Sequence, residues 1–499
     1  MRCLVTGATG YIGGRLVPRL LDAGHQVRCL ARSAARLRDS PWTARVDVVE
    51  GDLSDPATLE PAFDGVEVAY FLMHSLGRPD FESLDREAAR NFAAAARAAG
   101  VHRIVYLGGP EPPEHEKPSA HLRSRAEVGR ILLDSGVPTV VLRAPVIIGS
   151  GSASFEMLRY LTERLPAMVT PRWVENRIQP IAVRDVLRYL VGAATLPPEV
   201  NRGFDIGGAD VLTYREMMQR YARVAGLPRR LIVPVRVLSP WLSAHWVGLI
   251  TPVPNAIARP LVASLIHEAI AHENDIAALL PGPAPLGFDE SVRLARGKIR
   301  DADVETRWST ASGLDVSAEP LPTDPDWSGG SIYVDERSRP VSAPPDRLWR
   351  VIEGVGGENG WYSFPLAWSV RGWLDRLAGG VGLRRGRRDR DRLRVGEALD
   401  WWRVEEIEPG KLLRLRAEMR VPGRAWLEMR AETSPEGGSV YRQRAVFLPR
   451  GLAGHLYWAS VLPFHGIVFN GMARNITRTA EASGASEVIR TGETSGGGP

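Results

Sequence analysis

Three glycines near the start of the sequence are spaced so that they could hold a phosphate group. Gly7, Gly10 and Gly13 lie between the short apolar run 3–5 and an apolar-periodic segment that ends at Gly24. The pattern predicts a strand, a tight turn that the first glycine permits, and a helix that packs closely through the third. The helix N-terminus would offer free N–H groups and a positive dipole end to a pyrophosphate. The predicted dinucleotide site comprises Gly7, Ala8, Thr9, Gly10, Tyr11, Ile12 and Gly13.

The residues at the end of the next apolar run indicate which dinucleotide would fit. An NAD site has an acid there for the ribose 2′-hydroxyl, whereas an NADP site has a cation for the 2′-phosphate. This sequence has Arg32 and Ser33, with no carboxylate between residues 23 and 37. Because arginine can form a charge-assisted, bidentate pair with a phosphate, we expect NADP(H). The alternative is that Arg32 is one more solvated arginine in an Arg-rich chain.

These residues must be held together by a sheet, and the sequence predicts one. The first 143 residues alternate between strand and helix patterns. This alternation predicts an α/β fold with a doubly wound, parallel Rossmann sheet. Met73 ends the fourth predicted strand, and we assign it to the same cofactor site. The predicted strands cover residues 3–5, 25–32, 46–50, 66–73, 101–107 and 139–143, and the helices between them cover 16–21, 59–63, 83–100 and 122–135.

The sequence TGATGYIG at residues 6–13 resembles the TGxxGxxG fingerprint of the short-chain dehydrogenase/reductase superfamily. The likeness extends over roughly residues 1–230. By this resemblance Asp52 would bond the adenine amino group, and Leu53 would pack on the adenine ring. Asp52 could instead be a turn or helix-cap residue, since Ser54 and Asp55 beside it also suit capping.

The catalytic residues of that superfamily are absent from their usual places. The fifth predicted strand ends in Gly108 and Gly109 where a serine is typical, and the next helix has no Tyr-x-x-x-Lys. It has His121 and Arg125 instead, which lie four residues apart and so on one helical face. His121 could act as a general acid, and Arg125 could hold the ribose or a phosphate. Alternatively, His121 only begins the helix and Arg125 pairs with Glu127 or Glu114.

This departure resembles the atypical NmrA-like and NAD(P)-binding epimerase-like branch of the superfamily. The resemblance implies either a reductase that delivers hydride without the tyrosine or a protein that binds the cofactor as a redox sensor. It argues against sugar epimerase and ordinary alcohol dehydrogenase activity.

Other motifs give weaker signals. His267 and His272 lie five residues apart, which does not place them on one helical face, so an ordinary helix is predicted there rather than a zinc site. The acidic loop 111–116 could hold a metal, but we expect none. The basic run 384–392 is interrupted by aspartates, which favours a solvated loop over a nucleic-acid surface. We therefore expect no nucleic-acid partner.

Beyond residue 230 the pattern changes. Residues 231–320 are predicted to form a helical extension and a linker, and the adjoining stretch 321–331, which is rich in turn-forming residues, marks the domain boundary. Residues 321–480 are predicted to form an α+β domain that ends in a long helix over about 452–479, and 481–499 a disordered tail. The predicted strands of this domain cover residues 331–336, 393–395, 401–406, 412–419, 425–432 and 439–447.

The second domain resembles the SRPBCC (START and polyketide-cyclase-like) superfamily. The residues that carry this likeness are Asp400–Val404, Pro409-Gly410, Leu415–Met419, Pro422–Leu427, Phe447–Leu452 and Leu456–Trp458. The resemblance implies an antiparallel sheet around a long C-terminal helix, a helix-grip fold that encloses an apolar cavity. Tryptophans could line that cavity or simply fill the core. They are Trp361, Trp368, Trp373, Trp401, Trp402, Trp426 and Trp458.

Composition and charge favour a cytoplasmic protein. The chain has 499 residues and a net charge of +5, with almost all of its cations arginine. Its two cysteines fall in predicted buried strands, which is typical of reduced core residues. The apolar segment 451–472 is interrupted by His455, His465 and Asn470, so it is a poor spanning helix. A membrane-surface role for it remains an alternative.

The sequence thus predicts an NADP(H)-binding oxidoreductase joined to a domain for a small apolar ligand. Hydride would pass to an apolar carbonyl or enone bound near Asn176–Pro180. The alternative is a non-catalytic redox or ligand sensor.

Overall fold

Two compact units make up the chain, unit 1 (Met1–Gly330) and unit 2 (Ser331–Pro499). The structure is a computed structural model. It describes residues 1–302 apart from 39, 77, 112–117, 236–246 and 248–249, and residues 331–492 apart from 358–359, 363–391, 420 and 436.

Unit 1 is built on a sheet of seven parallel strands in the order β3-β2-β1-β4-β5-β6-β11. This is the doubly wound arrangement that the sequence predicts, with one further strand after β6. The chain reverses direction along the sheet between β1 and β4, which creates a crevice at the carboxyl ends of these strands. The seven strands are β1 (Arg2–Thr6), β2 (Gln26–Ala31), β3 (Asp47–Glu50), β4 (Val68–Phe71), β5 (Arg103–Gly108), β6 (Thr139–Arg143) and β11 (Arg202–Asp205), numbered in chain order.

Helices cover both faces of this sheet, and alternate residues of β1 point into two separate apolar clusters. Cys3 and Val5 belong to one cluster, and Leu4 belongs to the other. Both faces are therefore buried, as in other parallel sheets. The helices of unit 1 are α1 (Tyr11–Asp22), α2 (Glu60–Phe63), α3 (Phe81–Ala98), α4 (Ala120–Leu133), α5 (Ala153–Arg164), α6 (Val183–Ala193), α7 (Tyr214–Val224), α8 (Asn255–Ser264), α9 (Ile276–Leu279) and α10 (Phe288–Ala302).

The later part of unit 1 contains several short strand pairs, and two of the predictions made from the sequence are wrong there. Residues Leu231–Val235 form β13 rather than a helix, because exposed Leu231 and Val233 alternate with buried Ile232 at the period of a strand. Residues His267–His272 form a loop whose Ala269 pairs with Ile178, not a helix. The short strands are β7 (Ile147–Ile148), β8 (Ala167–Pro171), β9 (Arg177–Ile178), β10 (Ile181–Ala182), β12 (Leu212–Thr213) and β13 (Leu231–Val235).

In the residues that the structure describes, unit 2 is a six-stranded antiparallel sheet in the order β14-β19-β18-β17-β16-β15, packed against two helices. The predicted strand at 393–395 is wrong, since the short strand there is Ala398–Leu399. The elements are β14 (Tyr333–Val341), α11 (Pro345–Glu353), β15 (Ala398–Leu399), β16 (Trp402–Glu408), β17 (Leu412–Ala417), β18 (Gly423–Thr433), β19 (Ser439–Pro449) and α12 (Gly451–Gly492).

Helix α12 is longer than the sequence predicts. It continues to Gly492, past the expected end near Thr479 and through twelve residues expected to be disordered. No proline interrupts this stretch, and its alanines and glutamates favour helix. The tail at 493–499 lies outside the described residues.

The described tryptophans of unit 2 are mostly core residues. Trp361 stacks on Trp401 at 5.5 Å between ring centroids, and both lie with Trp402 in the apolar cluster between the sheet and the helices. Trp426 and Trp458 are also buried. Among these residues the structure thus favours core filling over exposed cavity lining. Trp368 and Trp373, like the basic run 384–391, lie outside the described residues.

Candidate cofactor and active site

The glycine turn lies between β1 and α1, at the crevice where the strand order reverses. Gly10 precedes the first helical residue, no side chain caps the helix, and its first turn carries no acid. The N–H groups of that turn therefore have no side-chain acceptor in place. A dinucleotide pyrophosphate fits this requirement, because it supplies acceptors and negative charge at the positive end of the helix.

Close backbone contacts explain why glycine is required in this turn. Gly7 has a φ of +73°, and a Cβ on it would lie 2.8 Å from the carbonyl oxygen of Leu72 and 3.2 Å from the amide nitrogen of Met73. A Cβ on Gly13 would overlap the carbonyl oxygen of Gly7, whereas one on Gly10 would lie 3.2 Å from that same atom. The turn thus meets the end of β4 at Met73, whose contact with the cofactor stays a prediction.

Tyr11 has a partner that the sequence analysis missed. The guanidinium of Arg15 lies 4.1 Å from the centroid of the Tyr11 ring, and its Nη1 donates to the Tyr11 carbonyl oxygen at 3.1 Å. Arg15 is almost fully buried, so this pair fixes the first turn of α1 from within. The i, i+4 spacing of the two residues was the available signal. Ala8 is buried in the turn, whereas Thr9 and Ile12 are half-buried.

At the end of β2, Arg32 is exposed and Ser33 is half-buried. The next residue, Ala34, donates its N–H to Glu50 Oε1 at 2.7 Å. The residues at the end of β2 give no sign of this carboxylate, which β3 supplies. The Ala34 N–H engages one of its two oxygens, and recognition of a 2′-phosphate by the exposed Arg32 stays a prediction.

Asp52 has the turn geometry that the sequence left as an alternative. Its Oδ1 accepts hydrogen bonds from the Ser54 backbone N–H at 3.0 Å and from the Ser54 hydroxyl at 2.6 Å. These two bonds lower the pKa of Asp52, and the charge of Arg32 adds to the effect. Leu53 is buried in the apolar cluster between the sheet and α3. Adenine recognition by Asp52 and Leu53 remains a prediction.

His121 is held by a hydrogen-bond network that includes two serines. The Ser264 hydroxyl lies 3.0 Å from the Pro260 carbonyl oxygen and 3.1 Å from His121 Nδ1, and we assign its one proton to the carbonyl oxygen, the usual i−4 acceptor of a helical serine. Ser119 Oγ lies 2.9 Å from the same hydroxyl and accepts from the Leu122 N–H. On this assignment the proton of neutral His121 is on Nδ1, and Nε2 is an acceptor.

The protonation state of His121 argues against the predicted general-acid role. Burial lowers the pKa of His121 to about 3, and the charges of Arg125 and His74 add to the effect. At neutral pH the ring is therefore neutral and carries no imidazolium proton to give. Its free Nε2 can accept a hydrogen bond from a substrate or a water instead.

Arg125 lies next to the tyrosine of β5 rather than next to an acid. Its Nη1 lies 3.4 Å from the Tyr106 hydroxyl, and its guanidinium carbon lies 5.7 Å from the centre of the Tyr106 ring. The alternative partner Glu127 pairs with Arg86, and Glu114 lies outside the described residues. Within the described part of the chain no carboxylate forms an ion pair with Arg125, although its charge acts on the nearby buried Asp85 and lowers the pKa of that carboxyl group against the larger effect of burial.

His74 is a site residue that the sequence analysis missed. It follows the end of β4 by three residues, and its Nδ1 accepts from the Leu76 N–H at 3.4 Å, which leaves the proton on Nε2. The ring reaches solvent, yet enclosure by the surrounding protein, with help from Arg125, lowers the pKa of His74 to about 3. A polar residue just beyond a carboxyl end of the sheet was the available signal.

A buried acid anchors the loop that carries His74. Asp85 of α3 accepts from the Ser75 N–H at 2.7 Å and lies 3.4 Å from the Ser124 hydroxyl of α4. Burial raises the pKa of Asp85. The loop after β4 and the first turns of α4 are therefore joined through one carboxyl group, which fixes His74 relative to His121.

The segment Asn176–Pro180 is predicted to lie over the substrate. In the structure the side-chain amides of Asn176 and Gln179 donate hydrogen bonds to backbone carbonyl oxygens. Asn176 Nδ2 donates to the carbonyl oxygens of Leu265 and Ile266 at 3.1 and 2.7 Å. Gln179 donates to the Gly208 carbonyl oxygen at 2.8 Å. Because Leu265 follows Ser264, Asn176 acts on the site by fixing the end of α8 that orients His121.

Family models match two separate parts of the chain. Residues 7–146 match a family described as NAD(P)H-binding. Residues 327–472 match a family described as a protein of unknown function, DUF2867. The first match covers the glycine turn, Met73, His121 and Arg125, and the second covers most of the described part of unit 2.

Three curated relatives match less than half of this chain but about three quarters of their own length. A (4-alkanoyl-5-oxo-2,5-dihydrofuran-3-yl)methyl phosphate reductase of Streptomyces griseus is 33% identical over 237 residues, 46% of this chain and 75% of the relative. A ceramide reductase of Caulobacter vibrioides is 30% identical over 236 residues, 46% and 72% of the two chains. The photosystem II assembly factor Ycf39 of Synechocystis is 26% identical over 248 residues, 48% and 72% of the two chains.

Solved structures also resemble unit 1. The Citrobacter triphenylmethane reductase complexed with NADP(H) covers 59% of this chain and all of its own, with 23% identity and a TM-score of 0.48.

Proposed function

We propose, since the chain belongs to the NAD(P)H-binding reductase family, that unit 1 transfers hydride from NADPH to an apolar carbonyl or enone. The observation that carries this proposal is the group formed by His74, His121 and Arg125. It lies at the carboxyl ends of the sheet, on the same edge as the glycine turn. The neutral imidazole of His74 can donate a hydrogen bond, and that of His121 can accept one. Together with the cation of Arg125, which forms no ion pair with a described carboxylate, they suit a reaction that creates an oxyanion.

Each of the three residues has a definite task in this proposal. NADPH held by the glycine turn at residues 7–13 would supply the hydride for the electrophilic carbon, and the electron pair of the substrate C=O bond would then move to oxygen. His74 donates its Nε2–H to that oxygen, and Arg125 stabilises the charge that develops on it. His121 Nε2 accepts from a water that delivers the final proton, because neither imidazole carries a spare proton at neutral pH. The reaction then balances as hydride plus one proton from solvent.

The cofactor proposal is NADPH rather than NADH. It is supported by the exposed Arg32 directly after β2 and by the lack of a carboxylate between residues 23 and 37 of the sequence. Arginine recognises a 2′-phosphate by a bidentate, charge-assisted pair.

The names of two relatives support an apolar substrate. One is named for a methyl phosphate that carries an alkanoyl group on an unsaturated oxo-dihydrofuran ring, and the other is a ceramide reductase, so both names include an apolar chain. A conjugated carbonyl with an apolar substituent is therefore the substrate class that we favour for this chain.

For unit 2 we propose a small-ligand-binding domain of the SRPBCC type, which would hold, deliver or sense the same apolar compound. Its six-stranded antiparallel sheet and long C-terminal helix support this proposal.

Turnover of NADPH by the full chain tests the reductase proposal. The chain is incubated with NADPH and a panel of enones, quinones and aldehydes, and the loss of NADPH absorbance is followed. We expect oxidation with at least one conjugated carbonyl and faster turnover with a longer apolar substituent. Tight NADPH binding with no oxidation across the panel would overturn the proposal.

That outcome would favour the second candidate, a non-catalytic NADPH sensor. The absence of the Tyr and Lys from α4 and the low pKa of His121 support this candidate. One relative, Ycf39, is moreover named as an assembly factor and not as an enzyme. A sensor should change the stability of the chain on binding NADPH relative to NADP⁺, without turnover.

A further inference from the structure

The first half of helix α12 exposes a stripe of large apolar side chains. Leu456, Phe464 and Ile467 are 62%, 66% and 63% exposed, and Leu452 and Pro463 are exposed on the same side. At about 100° per residue these five positions fall within about a third of the helix circumference. We call them the outer stripe. Apolar side chains of this size are rarely grouped on a surface that faces only water.

The opposite side of the helix is fixed to the sheet of unit 2. Trp458 stacks on Tyr333 with 5.1 Å between ring centroids, and the Tyr333 hydroxyl lies 2.9 Å from His455 Nδ1. Phe469 and Met472 belong to the core cluster of the unit. Helix α12 is thus apolar on both sides between residues 452 and 472, a pattern typical of a helix that is covered on both sides.

Length and composition would allow this helix to cross a membrane, but its packing favours another arrangement. The stretch Gly451–Ala482 is the one described helix that is long and apolar enough, and 17% of its most apolar window is buried. The buried side contacts Tyr333 and the core of unit 2, and a spanning helix would have to give up these contacts. An orientation parallel to the membrane surface keeps them and still covers the outer stripe.

The charges around the stripe identify what would cover it. No acidic residue occurs from Gly451 to Ala480, while Arg450 precedes the stripe. On the same side of the helix the exposed residues become Asn470, Arg474 and Arg478 beyond the stripe. Cations at both ends of an apolar surface match the phosphates of an anionic lipid bilayer.

A second copy of the chain would fit this surface less well. In an antiparallel pairing of two α12 helices, Arg450 of one copy would face Arg474 of the other. In a parallel pairing, each arginine would face its own counterpart. Both arrangements bring like charges together with no acid in the stripe to neutralise them.

We propose that α12 docks unit 2 on an anionic membrane surface, with the outer stripe buried at the boundary between headgroups and acyl chains. Arg450, Arg474 and Arg478 would contact lipid phosphates. The proposal goes beyond the reductase activity and does not depend on it, because the stripe contains none of the residues assigned to hydride transfer.

Sedimentation of the full chain with vesicles tests this proposal. The vesicles contain phosphatidylcholine alone or phosphatidylcholine with phosphatidylglycerol, and the second kind should bind the chain more tightly. Ile467→Glu should weaken that binding about tenfold or more, since it removes a large apolar contact and places a charge against lipid. Val395→Glu is the matched control, because Val395 is also 63% exposed in unit 2 but lies outside α12. It should bind vesicles like the unchanged chain.

Other results would overturn the proposal. Equal vesicle binding by Ile467→Glu and Val395→Glu would do so, as would no binding to either kind of vesicle. Light scattering that shows a dimer converted to a monomer by Ile467→Glu, without any change in vesicle binding, would identify a second copy as the occupant. Unchanged circular dichroism and an unchanged thermal unfolding profile of Ile467→Glu establish that unit 2 of the variant is folded. In Arg450→Gln/Arg474→Gln, the preference for phosphatidylglycerol should fall while binding to phosphatidylcholine alone stays the same.

Discussion

His74 is the residue on which the proposed chemistry depends most directly. We expect His74→Ala to lower kcat about a hundredfold, the usual effect of losing one hydrogen-bond donor to an oxyanion. His74→Asn keeps an N–H donor and should recover part of this loss. The measurement is kcat and KM for NADPH with the best carbonyl of the panel. Because His74 acts on the substrate oxygen, KM for NADPH should change little.

Exposed His102, which precedes β5, provides the control for this experiment. His102→Ala should leave kcat unchanged. A parallel loss of NADPH affinity and kcat in His74→Ala would contradict the proposed role, because it would indicate that the loop after β4 had collapsed.

His121 gives the stability of the chain a dependence on pH. Burial holds its folded-state pKa at about 3, below its ordinary value of 6.5. Below pH 6.5 the unfolded chain therefore binds a proton that the folded chain does not, so stability falls as the pH is lowered towards 3. We expect this histidine alone to cost about 1 kcal/mol between pH 6 and pH 5. Urea unfolding of His121→Gln at the two pH values should show a smaller drop than the unchanged chain, and His102→Gln should show the same drop.

Arg32 should determine which dinucleotide binds. Arg32→Asp removes the cation and places a negative charge against the 2′-phosphate, so NADPH should bind about a hundredfold more weakly and NADH should change far less. Titration calorimetry with both cofactors measures this difference. Arg45→Asp is the control, since Arg45 is exposed at the opposite, amino end of β3. If Arg32→Asp weakens both cofactors equally, Arg32 does not recognise the phosphate.

At the scale of the elements, two glycines of the turn between β1 and α1 are required for different reasons, one for the stability of the fold and one for cofactor binding. A Cβ on Gly13 would overlap the Gly7 carbonyl oxygen, and relieving the overlap must move α1 away from β1. Gly13→Ala should therefore destabilise the fold by about 2 kcal/mol and also weaken NADPH binding. A Cβ on Gly10 meets the same atom at 3.2 Å, so Gly10→Ala should keep most of the stability and lose NADPH affinity. Thermal unfolding with and without NADPH compares the two variants, and equal destabilisation would contradict this division.

Elements whose conformation depends on neighbouring residues could be predicted from the sequence. Elements whose conformation depends on contacts with distant parts of the chain could not. The glycine spacing identified β1, the turn and α1 because the signal lies within about twenty residues. The loop His267–His272 does not form the predicted helix because its conformation depends on hydrogen bonds with residues about ninety positions earlier. Asn176 donates to the Ile266 carbonyl oxygen just before the loop, and Gln179 accepts from the Ala271 N–H. The strand Leu231–Val235 was missed because it carries only one buried residue between two exposed ones and pairs with the distant β8.

The candidate site shows the same limit. Sequence spacing put His121 and Arg125 on one face of α4, and a family motif supplied the cofactor residues. It could not show that Ser264, 143 residues further along the chain, lies 3.1 Å from His121 Nδ1. Nor could it show that enclosure of both His74 and His121 leaves them neutral. These properties arise from packing between elements that are far apart in sequence, so they become visible only in the folded chain.

At the scale of the whole molecule, the two proposals assign different activities to different units. Each unit has its own sheet and its own apolar core, and the division falls between Gly330 and Ser331. A protease site inserted at that point allows the full chain to fold before it is cut. After cleavage, NADPH oxidation should remain with Met1–Gly330 and vesicle binding with Ser331–Pro499.

Substrate choice in the cut protein should then reveal what the connection contributes. If unit 2 delivers an apolar compound from the membrane, cleavage should slow the reduction of a vesicle-embedded carbonyl and leave a water-soluble carbonyl unaffected. The physical reason is that a linker raises the effective concentration of one unit near the other, and cleavage removes that advantage without altering either site. Equal rates before and after cleavage for both substrates would contradict delivery. Loss of both rates would contradict the assignment of the reductase site to unit 1 alone.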